Sequence, residues 1–170
     1  GSQAAKSFGE FLPQIFKQCV EAKIKIKIIQ QCIDSQNNSL EEYYKNLKIN
    51  YELFNFTSDI IEYYSKAELV ITRSGSSATA ELINCKIPFI SIPYPYSADF
   101  HQDKNAFYFN KKGYSFLIKE NEVHEKLFPL IKLIYSDKEI LNKLIEKQKQ
   151  HSDINVFLKI NNEVKNLINE

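Results

Sequence analysis

Arg73, Ser74, Gly75, Ser76 and Ser77 follow the apolar run Leu69-Val70-Ile71-Thr72 and precede a helical pattern through Thr79, Glu81 and Leu82. Small residues at a strand-to-helix turn let a ligand approach the backbone. The free N–H groups and dipole of the helix's first turn suit a diphosphate. Gly75, Ser76 and Ser77 are the candidates for that contact. Glu81 lies about one turn further on, where a carboxylate can accept two hydrogen bonds from a vicinal diol such as a ribose. The plainer reading is a serine N-cap followed by a solvated glutamate, since glycine-serine turns before helices are common. Taken alone, the segment leaves both readings open.

A second loop supplies different chemistry. Pro93-Tyr94-Pro95-Tyr96-Ser97-Ala98-Asp99-Phe100 leaves an apolar run and enters a helix carrying His101, Gln102 and Asn105. These are neutral donors and acceptors, the mixed set that recognises sugar hydroxyls. A lone histidine is more often structural, and His101 gains weight only from Gln102 beside it and the phosphate-type loop before it. Leu69 to Ala106 therefore reads as a pocket for a nucleotide-activated sugar.

The elements that must position these groups alternate. Residues 5–21 carry Phe8, Phe11, Leu12, Ile15, Phe16 and Cys19 at helical spacing. Residues 23–29 alternate and then turn continuously apolar, as a strand entering a buried sheet does. Ser39 is the expected cap of a helix over 40–47, and Ser58 of one over 59–66. Strands are expected at 49–54, 69–72, 88–92 and 114–118, with helices at 79–84 and 98–110. Gly113 is a helix stop, and everything after Asn121 is helical and amphipathic. This rhythm predicts a single α/β domain with a parallel, Rossmann-like sheet whose ligand lies beyond the carboxyl ends of the strands.

Bulk composition narrows the classes. The chain has 170 residues, 44% apolar content and a net charge of +1, so it can bury a core and shows no concentrated basic face for nucleic acid. A modest basic face for a membrane surface stays open. Cys19, Cys32 and Cys85 lack metal spacing and sit in apolar segments, which predicts buried thiols in a reducing, cytoplasmic setting. No apolar run reaches the ~18 residues of a membrane span. Leu127 to Leu144 reads as a core-packing helix pair rather than a membrane patch. The absence of an Asp-x-Asp motif predicts no protein-held metal, and no cofactor is implied.

The motifs, taken in order, resemble the carboxyl-terminal domain of the MurG family of glycosyltransferases. Gly1-Ser2-Gln3-Ala4-Ala5 is similar to the tail of that family's first glycine-rich loop, and Phe56-x-x-Asp59-Ile60 to its uracil-binding segment. Arg73-Ser74-Gly75 through Glu81-Leu82 is similar to its central signature, and Asp99-x-His101-Gln102-x-x-Asn105-Ala106 to its sugar-contacting helix. The resemblance covers nearly the whole chain. It implies the carboxyl-terminal half of a GT-B type fold that binds UDP-N-acetylglucosamine. Ser2, and the loop at Ser76 and Ser77, would hold phosphate, with Gln3 among the donor-binding residues. Phe56 and Thr57 would meet uracil, the latter through its backbone. Glu81 would bind ribose, and Gln102 with His101 would read the sugar. The reaction implied is inverting transfer to an undecaprenyl-linked acceptor, lipid I, giving lipid II in peptidoglycan synthesis at the inner face of the membrane.

Departures accompany the match. Ala78 stands where the family commonly has Thr, Ala4 replaces a loop glycine, and Gln30-Gln31-Cys32-Ile33 replaces His-Gln-Thr-Gly. The family's acceptor half, with its proposed catalytic histidine, has no counterpart here, so no catalytic residue is assigned and His101 is not a general base. A phosphate loop of this type also follows a central first strand, which the sequence does not contain. The expectation is a donor-binding half completed by further polypeptide. A donor subunit of a split, dolichol-linked chitobiose-forming transferase and an inactive nucleotide-sugar-binding module are the alternatives.

Overall fold

The computed structural model describes residues 2–151, apart from the side chains of Ser2 and Gln3; the expected helix after Asn121 lies outside the described residues from 152 onward. Helix α1 spans Ser2–Glu21 and buries Ala5, Leu12, Ile15 and Cys19, the i, i+3, i+4 face its sequence announces. It ends at Lys23, whose φ is 59°. There the Lys23 N–H donates to Val20 O at 2.9 Å and the Ile24 N–H to Cys19 O at 2.9 Å. This closure satisfies the last carbonyls and buries Ile24 against the helix end. It also explains why the alternating run from 23 to 26 is not strand. Strand β1 occupies Lys27–Gln31 instead.

The same closure recurs. Helix α2 (Asn37–Asn46) ends at Lys48 and Ile49, α4 (Ser76–Asn84) at Lys86 and Ile87, and α5 (His101–Lys111) at Gly113 and Tyr114. Lysine thus takes the left-handed position in α1, α2 and α4, where glycine is the residue without steric cost. Each closure delivers the chain, through an apolar residue, toward the following strand: β2 (Asn50–Phe54), β4 (Phe89–Ser91) and β5 (Phe116–Leu117). Helix α3 (Ile60–Tyr64) precedes β3 (Val70–Thr72).

Two of the expected caps are displaced. Ser39 lies inside α2 and its hydroxyl donates to Gln36 O, because the helix starts earlier, at Asn37. At α3 the cap is Asp59, whose carboxylate accepts from the Glu62 N–H, rather than Ser58. Cys19 and Cys32 are buried, but Cys85 is exposed at the C-terminal cap of α4, so the expectation of three buried thiols fails there.

All strand pairs are parallel. β1 pairs with β2, with Ile28 opposite Tyr51, and β4 lies between β3 and β5, with Ile71 opposite Ile90. β1 and β3 are not hydrogen-bonded neighbours, so the parallel array is in two pieces. Helix α1 joins them. Its Phe11, Leu12 and Ile15 pack with Ile90, Ile92, Ile118, Val123 and Leu127, while Phe16 touches that core and also the one built by Ile28, Cys32, Leu40, Tyr44 and Ile49. The open edge shows in burial: β4 is fully buried, whereas β3, equally apolar at Val70 and Ile71, is only half-buried. Helices α6 (Val123–Ser136) and α7 (Glu139–Lys149) bury Leu127, Ile134, Leu141 and Leu144, the core role expected of them. Fully buried Gln148 donates from Nε2 to Ile87 O and Tyr114 O, tying α7 to the entries of β4 and β5.

Two outcomes follow for solution experiments. Replacing Lys23, Lys48 or Lys86 by glycine removes a left-handed side-chain penalty and raises stability by about 0.5–1 kcal/mol each in urea unfolding. A thiol reagent at neutral pH labels Cys85 in the native chain. Cys32, whose thiol is pushed up by burial and by the Asp34 charge, and Cys19, pushed up by burial to about 11, react only on unfolding.

Candidate functional site

The carboxyl ends of β1, β2 and β3 gather around the N-terminal turns of α1. Gln36 Nε2, after β1, donates to Lys6 O at 2.9 Å, and Arg73, after β3, donates from Nη2 to Ser7 Oγ at 2.6 Å. The loops that the sequence singled out therefore open at one end of both sheets, where α/β folds place ligands.

Arg73 does not face that opening. It is buried, and its Nη1 donates to Ile92 O and Pro93 O, each at 3.2 Å. Its Nη2 also pairs with the Glu120 carboxylate, and the guanidinium lies 5.0 Å from the Phe8 ring centroid and 5.5 Å from that of Tyr94. Planar stacking and forked donors make arginine suited to such a junction. The charge thus holds together α1, the loops after β3 and β4, and the turn before α6. Ser74 is likewise fully buried, and its carbonyl accepts from Asn105 Nδ2 at 3.1 Å.

Beyond Ser74 the loop becomes open. Gly75 is the N-cap of α4 and offers no side-chain cap; Ser76 and Ser77 are exposed within the first turn and do not cap it. A methyl group at Gly75 would meet no atom within 4 Å. The helical ladder begins with the Thr79 N–H donating to Gly75 O at 3.1 Å, which leaves the preceding N–H groups directed outward from the helix end. An uncapped N-terminus flanked by exposed hydroxyls can hold an anion. Glu81 is exposed on the same helix, and its charge, after burial, helps push the neighbouring Tyr64 phenol up.

The start of α5 is bent. Asp99 and Phe100 have φ of 48° and 54°, so the expected continuous helix over 98–110 is a short 3-10 turn followed by α5. The bend lets Gln102 Oε1 accept from the Tyr94 N–H at 3.0 Å. Gln102 and Asn105 each commit one end of the amide to a loop backbone, and Gln102 Nε2 and Asn105 Oδ1 remain without a protein partner among the described residues. His101 is exposed, and its Nδ1–H donates to Ala98 O at 2.8 Å, which leaves Nε2 with a lone pair for a ligand donor.

The remaining site residues lie at a cleft of about 290 Å³ lined by Ala5, Gln31, Cys32, Ile33, Asp34, Asn55 and Phe56. Phe56 is 84% exposed at its rim, a large apolar ring without a protein neighbour to cover it. Thr57, half-buried, turns its hydroxyl to accept from the Asp59 N–H at 3.0 Å. Gln31 Nε2 donates to Asn55 O at 2.9 Å, and Asn55 Nδ2 donates to Asp34. Asp34, Asn55, Ser7 and Glu120 were not singled out from sequence. The first two lie within three residues of the ends of β1 and β2, and the rule that ligands lie beyond strand ends covers them. Ser7 and Glu120 had no local signal, since what makes them matter is Arg73. A second cleft, of about 430 Å³, lies between the β4 loop and the turn before α6, lined by Pro93, Tyr96, Asp103, Lys119, Glu120 and Asn121 among others. Ser76, Ser77 and Glu81 line neither cleft. Among the described residues, no group of three His, Cys, Asp or Glu is placed to hold a metal ion.

Comparison with known proteins supplies the family and the fold. The model of the glycosyltransferase family 28 C-terminal domain matches residues 1–160. The chain is 35% identical over its whole length to the UDP-N-acetylglucosamine–N-acetylmuramyl-(pentapeptide) pyrophosphoryl-undecaprenol N-acetylglucosamine transferase of Pelagibacter ubique (strain HTCC1062), covering 48% of that protein. It is 34% identical to the same-named enzyme of Prochlorococcus marinus (strain MIT 9312), over 99% of this chain and 47% of the relative. The chain thus spans about half the length of these relatives. The crystal structure of Acinetobacter baumannii MurG superposes with a TM-score of 0.77 at 23% identity, over 89% of this chain and 44% of that one, which establishes the shared fold. With a family match over nearly its full length and relatives a third identical from end to end, the chain belongs to the glycosyltransferase family 28 C-terminal domain family.

Proposed function

We propose that this chain is a single domain forming the donor-binding half of a transferase that moves N-acetylglucosamine from UDP-N-acetylglucosamine to an undecaprenyl-linked acceptor, lipid I, to form lipid II. The observation that carries the reading is the uncapped, solvent-open first turn of α4, beside amides that keep one end free. Relatives named for that transfer, matched across the whole chain, supply the substrates.

In this reading the N–H groups at Gly75, Ser76 and Ser77, with Ser2 and Gln3 at the start of α1, take the diphosphate. Phe56 covers the uracil, Thr57 binds it through backbone, and Glu81 accepts from the ribose hydroxyls. Gln102 Nε2, Asn105 Oδ1 and His101 Nε2 meet the sugar. Arg73 and Ser74 act from behind as positioning residues. An acceptor hydroxyl attacks the anomeric carbon with inversion, and the helix dipole stabilises the charge that develops on departing UDP. The attacking side and the group that takes the proton belong to further polypeptide. A lipid-linked acceptor places the assembled enzyme peripherally at the cytoplasmic face of the membrane, and no helix among the described residues is long and apolar enough to cross one.

Calorimetric titration with UDP tests the donor site: the chain binds, and Glu81→Ala weakens binding about tenfold or more while leaving the thermal melt unchanged, because Glu81 is exposed. Folded chain that ignores UDP, or a Glu81→Ala variant that binds as tightly, overturns the assignment. Transfer assays with lipid I against a dolichol-linked acceptor, supplemented with an acceptor-side half, separate the bacterial reading from the split eukaryotic one and from an inactive module.

A further inference from the structure

Helix α5 carries a face that the donor site does not use. Lys104, Phe107, Tyr108 and Lys111 fall at the i, i+3, i+4, i+7 spacing that lines one side of a helix, and all are exposed. Phe107 is 62% and Tyr108 51% exposed. Phe100 extends the face at its N-terminal end, where the left-handed backbone leaves the ring 65% exposed. Lys112 extends it at the other end, with Nζ 5.8 Å from the Tyr108 ring centroid. The opposite side of α5 is fixed by buried Ala106 and by the Gln102 and Asn105 bonds to the β4 and β3 loops, so this face is held outward.

Its lysines are all unpaired among the described residues, as are Lys6 of α1, Lys132 of α6 and Lys143 and Lys147 of α7, whereas other lysines are paired. Lys45, Lys66, Lys126 and Lys149 each pair with a glutamate three or four residues away. Lys104, Lys111 and Lys112 have no carboxylate partner among the described residues. Asp103 lies off the face, lining the cleft with Lys119, and Asp99 is the carboxylate at its border. A chain with a net charge of only +1 has therefore placed three unpaired cations among three exposed aromatic rings.

We propose that this face of α5 is a membrane-contact surface for anionic phospholipid. Interleaved aromatics and lysines are the composition of a helix lying in the interface plane, with rings at the headgroup level and ammonium groups reaching lipid phosphates. A protein partner of ordinary specificity would need a contiguous apolar centre, which the lysines interrupt, and nucleic acid would need a larger basic field. The assignment extends the proposed lipid-linked acceptor by naming the surface on this half that faces the bilayer. Its readout is separate from UDP binding.

The test is co-sedimentation of the chain with vesicles of phosphatidylcholine alone or mixed equally with phosphatidylglycerol. It compares the unmodified chain with the pairs Phe107→Ser/Tyr108→Ser and Lys104→Glu/Lys111→Glu. The chain binds the phosphatidylglycerol vesicles, releases them in high salt and ignores the neutral ones. Each pair weakens binding about tenfold or more, and UDP affinity does not change. Since all four side chains are exposed, melting temperatures are expected to hold; if one pair perturbs the melt, the other reports on the same face. No binding to phosphatidylglycerol vesicles by folded chain overturns the proposal, as does equal binding by both folded pairs. So does a self-association that Phe107→Ser/Tyr108→Ser abolishes, which would make the face a contact between copies, or comparable binding to duplex DNA. UDP binding lost with vesicle binding kept would instead count against the donor-site reading alone.

Discussion

A buried guanidinium is costly unless its charge and donors are met, and the contacts of Arg73 Nη1 and Nη2, though not of its Nε, organise the ligand end of this molecule around that requirement. Its partners come from three separate segments: Ser7 and the Phe8 ring on α1, the Ile92 and Pro93 carbonyls with the Tyr94 ring after β4, and Glu120 before α6. None of these segments pairs with another by strand hydrogen bonds. Arg73 is the polar counterpart of Phe16: the ring of Phe16 joins the apolar cores of the two sheet pieces, and the charge of Arg73 ties the loops of the β3-β4-β5 piece to α1. In a parallel array interrupted between β1 and β3, α1 has to be anchored by such contacts, because no ladder spans the gap.

The consequence for the site is a division of labour along one short sequence. Arg73 and Ser74 turn inward and are consumed by structure, while Gly75, Ser76 and Ser77 turn outward and start a helix with no side-chain cap. Gln102 and Asn105 repeat the division within single side chains, one end of each amide holding a loop and the other left free. A pocket built this way is pre-organised, since the groups that would meet ligand are positioned by bonds already made.

The open turn after β3, the β-α rhythm and the helix that carries Gln102 and Asn105 were legible because each depends on local residue type: small residues after an apolar run, turn signals between periodic segments, amides at a helix start. Helix ends were less legible. Lys23, Lys48 and Lys86 occupy positions that glycine normally marks, in a chain with only 4 glycines, so the closure of α1 was read as the beginning of a strand. The Asp99 and Phe100 bend was hidden for a similar reason, since aspartate only tolerates a left-handed backbone and phenylalanine does not signal one. Arg73 was grouped with the donor loop because its neighbours belong there. Only the distant Ser7 and Glu120 show that it points the other way, and such pairings at long sequence separation leave no periodic trace.

The central claim is that the open turn of α4 and the cleft beyond β1 and β2 receive a nucleotide sugar together. Backbone amide NMR during titration with UDP-N-acetylglucosamine tests it most directly. Saturable shifts are expected at Ser76, Ser77 and Ala78, at Phe56 and Thr57, and at Gln102 and Asn105, with Phe107 to Lys112 unaffected. Shifts confined to the cleft around Lys119 to Asn121, or none at saturating donor, would contradict it.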